Sequence, residues 1–187
     1  MSREVVLVRH GETEWSRSGQ HTGTTDLPLL PEGEAQAREV APRLARREFA
    51  LVLCSPMQRA RRTAELAGFG DRAEPDADLK ERDYGVYEGR TTKEIRVEHP
   101  GWDVWRDDCP GGETLAQLAA RADRVIERAL AADGDTLLFA HSHLLRELAG
   151  RWIGLGPDGG GKLRLGTATV STLGWERERR VLLAWNA

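Results

Sequence analysis

Three short apolar runs constrain this chain more than anything else in it: Val5–Val8, Leu51–Cys54 and Thr136–Ala140. Each is as long as a buried parallel strand needs to be, and helical patterning separates each from the next. The clearest helix is expected over Glu113–Ala132, where Leu115, Leu118, Ala119, Ala122, Val125, Ile126 and Ala129 recur at three- and four-residue steps as one apolar stripe. Further helices are expected over Glu32–Arg47, Gln58–Ala67 and Leu144–Ile153, the last closed by Gly154. Pro42 lies inside the first of these, which should therefore kink or begin late. Two tail segments, Thr167–Leu173 and Arg180–Trp185, read as strands around a charged turn containing Gly174, and Gly154–Gly161 (GLGPDGGG) reads as a mobile loop.

Strands alternating with helices specify an α/β class: a three-layer α/β/α sandwich on a mostly parallel sheet, with an antiparallel edge supplied by the tail. The 187 residues, 40% of them apolar, hold enough chain for one core, so residues 1–187 are expected to form a single domain. A formal charge of −3 offers no basic field for a nucleic-acid partner, and no apolar run approaches the ~18 residues of a membrane span. The N-terminal run is likewise too short for a signal peptide. Cys54 and Cys109, without a CxxC or Cys/His cluster, suggest neither a disulfide framework nor a structural metal, so a reducing, cytoplasmic setting is expected.

Ligands of open parallel sheets bind beyond the carboxyl ends of the strands. After the first run stand Arg9 and His10, after the second Ser55, Pro56 and, in the opening turn of a helix, Arg59, and after the third His141. Two arginines and two histidines are thereby brought to one edge. The chemistry that fits is phosphoryl transfer through histidine, because a neutral imidazole approaches a phosphate dianion without repulsion if cations and N–H donors clamp its oxygens. Arginine forks meet phosphate bidentately, so Arg9 and Arg59 are expected to bind the substrate, with His141 and the following helix start adding donors and Gly11 allowing close backbone approach. The leaving alkoxide needs a proton, and Leu79–Gly89 (LKERDYGVYEG) offers Glu81 and Glu88.

The ordered pieces VLVRHGETEW, QHTGTTDLPLLPEGEAQA, CSPMQRARRTAE, LKERDYGVYEG, PGGET and LLFAHSHLLR resemble the histidine phosphatase superfamily, also called phosphoglycerate-mutase-like, over nearly the whole chain. The resemblance implies a mixed six-stranded sheet and no metal or cofactor. It makes His10 the phosphorylated nucleophile, Arg9, Arg59 and His141 the phosphate pocket, and Glu81, rather than Glu88, the acid and base. The segment Ser16–Leu29 is similar to the sugar-bisphosphatase and acid-phosphatase branches, which adds Ser16, Thr22 and Gly23 to the substrate contacts. Tyr84, in the family's ERxYG pattern, and Ser142, where many relatives carry glycine, complete the candidate binding set. The mutases of the family grip a carboxylate with paired arginines after a tryptophan, whereas here Arg106 is followed by Asp107, so the phosphatase branch is favoured.

The expected activity is a metal-independent phosphomonoesterase acting on small phosphorylated metabolites, sugar phosphates among them. A phosphoglycerate mutase and a non-catalytic phospho-ligand binder are the alternatives. Many relatives pair through sheet edges, which makes a homodimer one open expectation, although no residue here identifies an interface. Arg61 and Arg62 read as a solvated helix face, His143 as a surface residue, His21 as a rim residue and Trp102, Trp105 and Trp152 as packing.

Overall fold

A computed structural model describes residues 3–187. Its single sheet has six strands: β1 (Val5–Arg9), β2 (Leu51–Cys54), β3 (Glu74–Pro75), β4 (Thr136–Ala140), β5 (Val170–Glu176) and β6 (Arg179–Ala184). Their order is β3-β2-β4-β1-β5-β6. The first four are mutually parallel, and β5 runs antiparallel to both β1 and β6. This is the mixed α/β/α arrangement expected, built from three internal strands that the sequence marks by their apolar runs.

Strand alternation divides the core into two layers. Val5 and Leu7 of β1, with Leu138 and Ala140 of β4, face α5 (Leu115–Ala131) and α6 (Ser142–Trp152). Val6 and Val8, with Leu137 and Phe139, face α2 (Pro31–Leu44) and α3 (Gln58–Leu66). Thr114 caps α5 through a reciprocal box with Gln117, so its apolar stripe starts in register with the sheet. The indole of Trp152, fully buried at the end of α6, donates to the Gly174 and Val181 carbonyls and ties the helix to the antiparallel edge.

Several expectations are corrected. Pro42 falls in the last turn of α2, where it costs the bond to the Arg38 carbonyl close to the point at which the helix stops, at Leu44 rather than Arg47. The tail strands sit later and earlier than read: their turn is at Arg177 and Glu178, with Arg177 at φ 54°, and Gly174 lies inside β5 because the Leu183 side chain crosses the place of its missing Cβ. The two-residue β3 and the short helices α1 (Glu14–Ser18) and α4 (Thr92–Glu98) carry too little periodicity to read. The second half of the Gly154–Gly161 stretch is packed: Gly159 and Gly160 are buried in a helical turn, and a methyl group on Gly160 would meet the Trp105 ring. Among the described residues no helix is long and apolar enough to cross a membrane.

Candidate active site

β1 ends in Arg9, and the next amide, that of His10, is fixed by a 3.0 Å bond to the carbonyl of Ala140 at the end of β4. The chain then passes Gly33 of α2 so closely that a Cβ on Gly11 or on Gly33 would collide with backbone. Gly11 therefore admits a helix, and not a ligand as expected. His10 is turned inward and is 5% exposed. Its Nδ1 lies 2.7 Å from the Gly11 carbonyl oxygen, which can only accept, so Nδ1 carries the proton and Nε2 presents a lone pair. Burial, then the positive charges of Arg9 and Arg59, push the imidazole down to about 3, and it is neutral at physiological pH.

The second histidine is fixed from the other side. His141 follows β4 and forms the N-cap of α6, and its ring centroid is 5.1 Å from that of His10. Arg59 Nε–H donates to its Nδ1 at 3.1 Å, which leaves Nε2–H to donate to Ser55 Oγ at 2.8 Å. Arg59 is itself fully buried in the first turn of α3. Its terminal nitrogens donate to the carbonyls of Thr25, Thr22 and Gly23. The two arginines thus differ: Arg59 is saturated by the chain, while the buried Nε of Arg9 has no acceptor and only Nη1 is engaged, on the Leu165 carbonyl at 2.6 Å.

Glu81 accepts three backbone N–H bonds, from Arg82 and Leu144 on Oε1 and from His143 on Oε2, each of 3.0 Å. Burial pushes its carboxyl up, but hydrogen bonding around His143 outweighs that and holds it well below the usual carboxylate range. Two of its donors belong to the first turn of α6, so that helix start serves Glu81 and not, as expected, an anion directly. Glu88 is occupied differently: it accepts from the amides of Gly23 and Thr25 and holds the 22–25 loop.

A cavity of about 160 Å³ lies between these groups, lined by Arg9, His10, Ser16, Thr22, Glu81, Tyr84 and Ser142 of the expected set. Arg59 and His141 do not line it but are buried against His10, and Gly23 opens instead on a larger cleft of about 590 Å³ beyond Glu81, between α5 and the 77–83 segment. None of Arg9, His10, Arg59 or His141 borders that cleft, so the chemistry is assigned to the smaller cavity. Trp15, Gln20, His21 and His143 also line it. His143 is not a surface residue: its Nδ1 is 2.7 Å from Tyr84 Oη and its ring lies 4.9 Å from that of Trp105. The signal for it was the His-x-His spacing at the start of a helix, which puts the second ring one position inside the first turn. Arg106 is exposed, and Asp107 accepts the Asp103 amide instead of facing the cavity. Among the described residues, no three His, Cys, Asp or Glu side chains are placed to hold a metal ion.

Comparison with known proteins places this geometry. An acid phosphatase of Mycobacterium tuberculosis is 39% identical over 185 residues, covering 97% of this chain and 91% of that one. A sedoheptulose 1,7-bisphosphatase of Saccharomyces cerevisiae is 39% identical over 189 residues, covering 83% and 69% respectively. The solved structure of an open reading frame product of Mycobacterium tuberculosis superposes with a TM-score of 0.94 at 38% identity, over 98% of this chain and 97% of the other. The profile of the histidine phosphatase superfamily (branch 1) matches residues 5–187. On that match, which takes in every strand and helix described above, the chain belongs to the histidine phosphatase superfamily.

Proposed function

We propose that the protein is a phosphomonoesterase that hydrolyses small phosphorylated metabolites, sugar phosphates among them, through a phosphohistidine at His10. The observation that carries this reading is the Nδ1–H bond of His10 to the Gly11 carbonyl, which aims an unprotonated Nε2 into a cavity beside the unpaired Nε of Arg9. Nε2 attacks phosphorus, the N–P bond forms, and the P–O bond to the alcohol breaks as Glu81 gives its proton to the departing oxygen. Water then attacks phosphorus while the Glu81 carboxylate takes a proton from it. The N–P bond breaks, and inorganic phosphate leaves with the imidazole restored. In the empty site Glu81 is ionised, and a phosphate dianion beside it raises its proton affinity at the moment an acid is needed.

The acid phosphatase and the sugar bisphosphatase among the relatives support the substrate class. Cys54 and Cys109 are free and buried, which fits a reducing compartment, and we place the protein in the cytoplasm. The test is acid-quenching after addition of ³²P-labelled substrate in excess chelator. The reading expects label on the wild-type chain at His10 and phosphate release, both lost in His10→Ala; full turnover in that variant, or interconversion of 2- and 3-phosphoglycerate without net phosphate release, overturns it.

A further inference from the structure

Arg146 lies three and four residues beyond His143 and Ser142 on α6, on the helix face that carries both of them to the cavity. Its guanidinium carbon sits 4.6 Å from the centroid of the Trp105 ring, which in turn lies against His143. Its Nε donates to the Gly160 carbonyl at 3.1 Å. The ring is fixed as well: buried Arg82 donates to the Val104, Asp107 and Glu113 carbonyls and secures the loop that bears Trp105. Arg146 is therefore a positioned cation and not a solvated one.

Its two terminal nitrogens have no such employment. Among the described residues neither meets a carboxylate or carbonyl, and neither is sealed from solvent. The arginines nearby contrast with this, since Arg82 and Arg59 end on backbone carbonyls, Arg121 on Glu113 and Arg151 on Asp123. The charge also reaches the site. Burial lowers the Arg146 guanidinium, the negative potential of Glu81 opposes this, and Arg146 in turn lowers Arg9.

We propose that Arg146 receives a second anionic group of the substrate, through its two terminal nitrogens, while the phosphate to be hydrolysed lies between His10 and Arg9. A planar fork fixed at Nε and stacked on an indole is suited to paired bonds with a carboxylate or a second phosphate. This rests on the phosphatase reading and narrows it: the preferred substrates are phosphomonoesters with an anion at the other end. The arginine after Trp105 in sequence points to solvent, and the one that reaches the ring comes from α6.

Two substrate pairs test it: 3-phosphoglycerate with glycerol 3-phosphate, and fructose 1,6-bisphosphate with fructose 1-phosphate. Wild-type protein should prefer the two-anion member of at least one pair by about tenfold or more in kcat/KM, and the pair that shows it tells carboxylate from phosphate. Arg146→Gln should reduce that preference to about threefold or less, whereas the exposed Arg106→Gln should keep it. Should Arg146→Gln not fold, Arg146→Lys, which keeps stem and charge but loses the fork, should lower the same ratio. Calorimetric Kd values for the same pairs on His10→Ala read the subsite without turnover, so an inactive protein would count against the phosphatase reading alone. No preference in the wild-type protein by either measurement, or a preference untouched in Arg146→Gln, overturns the proposal.

Discussion

Arg59, buried beneath His10 in the first turn of α3, and Arg146, on the α6 face that carries Ser142 and His143, are used in opposite ways. Around Arg59, at the floor, every contact is made by the chain itself: loop carbonyls, His141 and, through it, Ser55. Around Arg146, at the wall, the partners stop short, with free terminal nitrogens on one residue and, on the next, a fully buried Glu147 whose two oxygens have no hydrogen-bond partner. The floor is thus finished by folding and the wall is not. A finished floor holds His10 at fixed pitch, whereas an unfinished wall is where a ligand or a proton can still alter the energy.

The comparison is tested most severely at the floor. His10→Ala should lower turnover of p-nitrophenyl phosphate by at least about 10³-fold, since the proposed nucleophile is then removed. Glu81→Gln should lower kcat by about 10²-fold or more and flatten the pH dependence of kcat, because the amide keeps the shape but neither gives nor takes a proton. Arg59→Ala should remove about 3 kcal/mol of stability along with activity, as it empties a buried site and leaves three carbonyls unpaired; calorimetry would break the comparison by finding Arg59→Ala no less stable than Arg146→Gln.

Floor and wall should also part company in pH. His10 is pushed down to about 3 and His21, mainly by burial, to about 4, so below pH ~6.5 the unfolded chain binds more protons than the folded one. Their contribution to stability is whole above that pH and is lost as pH falls toward those values. Glu147 has the reverse sign: burial raises it to about 7, so the folded state binds the extra proton and loses stability as pH rises through 7. Glu147→Gln should accordingly stabilise the protein by about 2 kcal/mol at pH 8 and by much less at pH 5, measured by urea denaturation. The smallest effect is expected at Glu88→Gln, which weakens the support of the 22–25 loop: KM should rise about threefold with kcat nearly unchanged.

How much of this could be read from the sequence follows the same division. The three apolar runs gave three of the four internal strands, and with them the positions of Arg9, His10, Arg59 and His141, because a strand end fixes where its next residue goes. The wall was illegible. Nothing in Gly154–Gly161 announces that Trp105 covers it, and nothing near Trp105 announces Arg146, since those contacts join segments far apart in the chain. Glu81 and Glu88 have similar surroundings in sequence, and only the folded chain shows one facing the cavity and the other holding the loop. The edge hairpin was displaced for a plainer reason: a glycine read as a turn is a strand residue under a leucine.

The meeting of Gly11 with Gly33 leaves no side-chain matter between the segment after β1 and the start of α2. Spacing between His10 and the helix is consequently set by van der Waals contact of two main chains, insensitive to which rotamers their neighbours choose. Replacements scattered over the outer surface of α2 should drift freely in descendants of this chain, while a single added methyl at that crossing would have to move the histidine itself.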